Sequence, residues 1–188
     1  MRRFTVCSAF FVWNVLVLPV ISQAEPPPPP KFEDYPASEM LAGPPRQPIL
    51  LLPVHRLYKT RLRRGIQNGE GLVGVAKPQQ PPQPNFAGVF YAITWGCGSD
   101  GCASLAIVDG RSGSVYGPPP DADPRQSEFI ATPNTGGCKG IELRPESRLL
   151  FIEKAEWSSG GLVCQRSYYE WRDLQYKLIA KTAVKAEH

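Results

Sequence analysis

Histidine is almost missing from this 188-residue chain, which has only His55 and His188. That scarcity argues against a zinc site, which draws on closely spaced cysteines and histidines, and against chemistry built on an imidazole base. No serine stands in a Gly-x-Ser-x-Gly setting, so Ser99, Ser104 and Ser112 lack the elbow that exposes a nucleophile. No Cys-x-x-Cys pair occurs either, since four residues separate Cys97 from Cys102, and a thioredoxin-like redox role loses its motif. Neither sign of charge dominates. With 21 Lys and Arg against 17 Asp and Glu, the net charge of +4 is too small to argue for a nucleic-acid partner. Beyond residue 21 no apolar run is long enough to span a bilayer.

What is present begins with an export signal. Arg2 and Arg3 form a positive start, residues 10–21 are apolar apart from Asn14 and Pro19, and Ser22-Gln23-Ala24 supplies small residues at a cleavage site. Residues 1–24 therefore read as a signal peptide, leaving a mature chain that starts at Glu25. The competing reading is a retained anchor, because residues 4–21 are only slightly short of a membrane span. Either way the expected location is periplasmic or secreted. Cys7 leaves with the signal, and Cys97, Cys102, Cys138 and Cys164 remain, an even number in an oxidising compartment, where two disulfides are the expectation. Three connectivities are open. The short Gly-rich loop between Cys97 and Cys102 favours that pair, with Cys138–Cys164 as the second.

Ten prolines fall in residues 25–53, and this stretch reads as an extended polyproline linker. Residues 54–84 read as a short basic helix followed by a Gln/Pro-rich loop. Within 54–64, Val54, Leu57, Tyr58 and Leu62 recur at helical spacing with Arg56, Lys59 and Arg63 opposite, Pro53 at the first turn and Gly65 past the end. Arg61 falls in the apolar stripe and needs a carboxylate or a route to water. Five basic residues and no acid in 56–64 also suit an anionic lipid or glycan surface, although a solvated face on a helix packed against a sheet is the favoured reading. A piece over 72–76 is expected to add or cover a sheet edge.

From residue 85 the period becomes two. Strands are predicted over 89–95, 105–109, 114–116, 128–131, 140–143, 148–153, 163–171 and 174–180, with the last two joined by a turn at Arg172-Asp173. Residues 85–181 thus read as a disulfide-bonded β domain, with 182–188 as a flexible tail. The fold class expected is mainly β, an antiparallel meander or open sandwich preceded by one short amphipathic helix.

Asn85-Phe86-Ala87-Gly88-Val89-Phe90 and Trp95-Gly96-Cys97-Gly98, continuing to Cys102, resemble a group of small exported bacterial proteins of unknown function. The resemblance takes in a basic segment like residues 58–65, continues through stretches like 106–109 and 144–150, and ends near a hairpin like Tyr168-Tyr169-Glu170-Trp171. It implies no activity. Residues 107–115 and 144–151 also resemble strand-turn-strand pieces of β-propeller blades. The strands suffice for only about two blades, so blade-like sheets are expected and a closed propeller is not.

Candidate reactive groups are sparse. His55 reads as a surface residue of the helix, and His188 is terminal. Asp100, Asp109, Asp121 and Asp123 could supply a carboxylate pair, with Asp109 better explained as the cap of a hairpin turn. Asp121-Ala122-Asp123 offers too few oxygens for calcium. No metal and no cofactor are expected. Aromatic area is plentiful in Trp95, Trp157, Tyr168, Tyr169, Trp171 and Tyr176. The expected function is a non-catalytic envelope protein that binds a macromolecule or glycan, or acts as an inhibitor-like module. Ser99, Asp100, Arg61, Tyr168 and Trp171 are its candidate contact residues, and membrane contact is expected only through the leading segment if it is retained. A carboxylate-dependent hydrolase of envelope glycan and a structural or assembly factor are the alternatives.

Overall fold

The computed structural model describes residues 27–77, 80–96, 102–119, 130–133 and 138–185. The protein is mainly β, with two antiparallel four-stranded sheets. The first sheet holds β1 (Phe90–Gly96), β2 (Cys102–Asp109), β3 (Val115–Tyr116) and β4 (Ile130–Pro133). β3 and β4 both pair with β2, at opposite ends of it. The second sheet is a plain meander of β5 (Ile141–Leu143), β6 (Leu149–Ser158), β7 (Gly161–Arg172) and β8 (Gln175–Lys185). Only this second sheet keeps the strand order of a blade, because in the first sheet β4 returns to pair with β2.

Alternation along the strands builds three apolar layers. Phe90, Ala92, Leu105 and Ile107 of the first sheet meet Leu150, Ile152, Tyr169 and Trp171 of the second in one central core. The intervening residues Tyr91, Ile93, Trp95, Ala106 and Val108 point to the other face of the first sheet, where Leu62 and Ile66 cover them. Leu149, Phe151 and Tyr168 point to the outer face of the second sheet and pack against Phe32. Strands buried on both faces carry apolar residues at nearly every position, as β1 and β2 do.

The helical region differs from the expectation of one helix ending before Gly65. Two pieces form, α1 (Pro53–Leu57) and α2 (Lys59–Asn68), hinged at Tyr58 and capped by Gly69 in the left-handed conformation. Gly65 lies inside α2. A Cβ there would stand 2.5 Å from Ile93 Cδ1, so glycine is what lets the helix approach β1 so closely. The row facing the sheet is Val54, Tyr58, Leu62 and Ile66, one turn apart, the first two half-buried and the last two fully buried, whereas Leu57 faces outward at 76% exposure. Residues 71–73 bond to β1, with Val73 N donating to Ala92 O and Thr94 N to Gly71 O, and so cover its edge.

Residues 32–50 are docked, where a spacer was expected. A 3-10 turn, Phe32–Asp34, delivers Phe32 to the second sheet. The amides of Ala37, Leu41, Arg46 and Ile49 then donate to the carbonyls of Glu146, Gly88, Gly110 and Gly113. Proline removes donors, but each remaining amide that reaches the sheets finds a loop carbonyl as partner. Two further boundaries shift. The last hairpin turns at Asp173-Leu174, both with positive φ, because Arg172 pairs with Gln175. β8 continues to Lys185, so the expected tail at 182–188 starts as strand.

The Cys138–Cys164 disulfide is present and joins the approach to β5 to β7 across the intervening β6. The expected Cys97–Cys102 bridge lies outside the described residues, as do the signal peptide, Ser99, Asp100, Asp121, Asp123 and His188. Among the described residues no helix is long and apolar enough to cross a membrane.

Candidate functional site

Two of the expected contact residues turn out to be core. Tyr168 and Trp171 are each 3% exposed, because both faces of the second sheet are covered. Tyr168 packs on Phe151 beneath Phe32, while Trp171 pins the sheets together with its ring edge-on to Phe90, Tyr116 and Tyr176 at 5.3, 5.3 and 4.7 Å. Arg61 is exposed and reaches Glu70 at 3.4 Å, the carboxylate its position required. His55, expected on the surface, is buried, since α1 turns it inward beside Val54.

The motif residues Asn85-Phe86-Ala87-Gly88 are joints of the fold. The Asn85 side chain donates to Val73 O and Ala92 O and accepts from Ala92 N, locking residues 73 and 92 side by side. Phe86 is fully buried. Ala87 N and Gly88 N donate to the carbonyls of Ser147 and Pro145, tying the first sheet to a turn of the second. Trp95 is buried against Tyr58, with ring centroids 4.9 Å apart.

Asp109 closes the β2–β3 turn. Its Oδ1 accepts from Arg111 N and Nε at 2.8 and 3.1 Å, and its Oδ2 from the other side of the guanidinium at 3.0 Å. Burial pushes this carboxyl up, but the hydrogen bonds from Arg111 outweigh burial and hold it below the ordinary aspartate value. Hydrogen bonding to Asp109 in turn raises Arg111, which also pairs with Glu39. Ser104 is wholly buried and its hydroxyl has no hydrogen-bond partner among the described residues.

Accessible chemistry gathers instead at the end of the sandwich around the β7–β8 turn. On one side lies a cleft of about 320 Å³ reached by Glu39, Arg111, Arg148, Arg172 and Asp173. Arg111 is held by Asp109 and Glu39, and Arg148 by Glu170 at 2.7 Å and the Pro36 carbonyl at 2.9 Å, so both guanidinium planes are fixed before any ligand arrives. Arg172 is exposed, 3.6 Å from Asp173. On the other side a cleft of about 300 Å³ is walled by Tyr116, Pro118 and Tyr176. Burial pushes the Tyr176 phenol up, so it stays neutral, and its hydroxyl has no hydrogen-bond partner among the described residues.

Leu174 and Trp171 line both clefts. Leu174 is 46% exposed and sits at φ +59, where an L side chain is strained. Fixed guanidinium groups on one side of an apolar crest and aromatic walls on the other suit a ligand that carries carboxylates beside apolar or sugar-ring surface. None of Arg111, Arg148, Arg172, Tyr116 and Leu174 was singled out from the sequence as a contact residue. They come from several separate segments and share no spacing, and the local signals were the turns at Asp109 and at Arg172-Asp173. Compared with protein-family models, curated proteins and solved structures, the chain matches none.

Proposed function

We propose that this chain is an exported, non-catalytic binding module of the cell envelope, periplasmic or secreted, that takes a carboxylate-bearing macromolecule or glycan at the paired clefts of the β7–β8 turn. The observation that carries this reading is Leu174. A large apolar residue stands exposed in a backbone conformation that favours glycine, between two clefts, and strain of that kind gathers at functional surfaces. The Cys138–Cys164 disulfide supports an oxidising compartment. Among the described residues, Asp109 is committed to its turn, and Ser104 and His55 lie in the interior.

The experiment is affinity capture from solubilised envelope, with the bound material analysed for protein and for glycan. Leu174→Asp and Arg172→Glu are expected to cut capture at least tenfold while circular dichroism stays unchanged, since both side chains are exposed. Capture that survives both substitutions would remove the site. Turnover of captured glycan would replace the binding reading with the hydrolase.

A further inference from the structure

The charge of the chain is not spread evenly. Residues 56–70 hold Arg56, Lys59, Arg61, Arg63 and Arg64 against Glu70 alone, which leaves 16 basic and 16 acidic residues in all the rest. The whole net charge of +4 therefore sits on one short helical segment. All five cations are exposed. Arg61 and Arg64 reach Glu70 only loosely, at 3.4 and 3.6 Å in open solvent, and such surface pairs hold their partners weakly. Arg56, Lys59 and Arg63 have no ion pair among the described residues.

Most of the exposed large apolar side chains lie within this segment or just before it in the chain. Ile49, Leu51, Leu52 and Leu57 are four of the seven large apolar side chains left exposed among the described residues, with Leu51 at 75% and Leu57 at 76%. Leu52 caps α1 and Leu57 ends it, which places them about 8 Å apart along the axis at 1.5 Å per residue. The hydrogen bonds of Tyr58 N to Val54 O and Leu62 N to Tyr58 O carry the helical path through the hinge. Leu57 therefore shares its face with Arg61 and Arg64, one and two turns on, opposite the buried Leu62 and Ile66. α2 covers the face of the first sheet that points away from the second, so its cationic side is an outer surface.

We propose that this leucine-and-arginine face docks on an anionic phospholipid surface, the aliphatic chains entering the acyl boundary and the cations meeting phosphates. Charge complementarity selects an anionic partner. The aliphatic side chains select lipid over a soluble polyanion, because an acyl boundary gives leucine somewhere to be buried and a solvated polymer does not. This contact is separate from the leading segment and does not depend on the clefts of the β7–β8 turn.

The test is co-sedimentation of the protein, purified from cells expressing the full chain, with vesicles of phosphatidylcholine and of an equimolar phosphatidylcholine–phosphatidylglycerol mixture. Stronger binding to the anionic vesicles, weakened by salt, is expected. Each cation near such a surface contributes about a fivefold factor, so Arg61→Gln and Arg64→Gln together should weaken binding about 25-fold. Leu51→Ser with Leu57→Ser should also weaken it, with circular dichroism unchanged. Equal binding to both vesicles, or no loss in either variant, overturns the proposal. Retention on heparin without vesicle binding overturns it in favour of a soluble polyanion.

Discussion

Gly88 and the Glu39 carbonyl are in backbone contact so close that a Cβ on Gly88 would stand 1.8 Å from the oxygen. Gly88 also has φ +77, and its carbonyl accepts from Leu41 N while its amide donates to Pro145 O. One residue thus joins the first sheet, the 32–50 segment and a turn of the second sheet. Gly88→Ala meets both the steric wall and the left-handed backbone penalty, whereas Gly74→Ala, at φ +75 with nothing within 4 Å, meets only the second. Gly74→Ala should cost about 1–2 kcal/mol, the left-handed penalty, and Gly88→Ala at least about 2 kcal/mol more through displaced backbone. Urea denaturation of the two variants measures the difference, and equal losses would mean that the segment moves aside freely.

The strands were legible because burial writes a period of two, and double burial writes a continuous apolar run, as in Ala92-Ile93 and Leu105-Ala106-Ile107-Val108. The turn at Asp109 was legible because it is local. Residues 32–50 were not. Their contacts are amides bonded to loop carbonyls more than 20 residues away, with Phe32 as the one buried aromatic of the stretch, and no periodicity records such contacts. Tyr168 and Trp171 were misplaced for the same reason, because Tyr168 is covered on the outer face by Phe32 and Trp171 on the inner face by the first sheet, both far away in the chain. Gly65 as a packing notch was hidden because a glycine beside a helix pattern reads first as a terminus.

The Cys138–Cys164 bridge closes a separation of 26 residues, for which loop-closure reasoning gives about 3–4 kcal/mol of stabilisation. Replacing both cysteines by serine should lower the stability by that amount. The β signal in circular dichroism should remain, since the Gly140 carbonyl still accepts from Glu153 N and holds the approach to β5 in place. Unchanged denaturation midpoints for the double variant and the parent under oxidising conditions would show that the bridge contributes nothing.

Asp109 makes stability depend on acid. Its folded-state value lies below the unfolded one, so its contribution is fully present above about pH 4, the unfolded value, and is lost as pH falls through the folded value. Asp109→Asn should cost about 2 kcal/mol at neutral pH, the scale of a hydrogen bond to a charged group, and the gap to the parent should narrow steadily below pH 4. Denaturation of the two proteins across pH 2 to 7 measures this, and parallel profiles would show that Arg111 does not hold the carboxylate.

Leu174 links stability to the proposed site with opposite signs. The two-residue turn between Arg172 and Gln175 places Asp173 at φ +52 and Leu174 at φ +59, the mirror-image turn that favours Asn-Gly. Leu174→Gly should therefore relieve strain and stabilise the protein by about 1 kcal/mol. Removing the side chain also deletes the crest shared by the two clefts, and capture of envelope material should fall at least tenfold. A residue kept only for the hairpin would improve stability on substitution and leave capture untouched, whereas one kept for contact loses capture as stability rises. Thermal denaturation and capture measured on the same preparation separate the two. Higher stability with undiminished capture would take Leu174, and with it the β7–β8 turn, out of the binding surface.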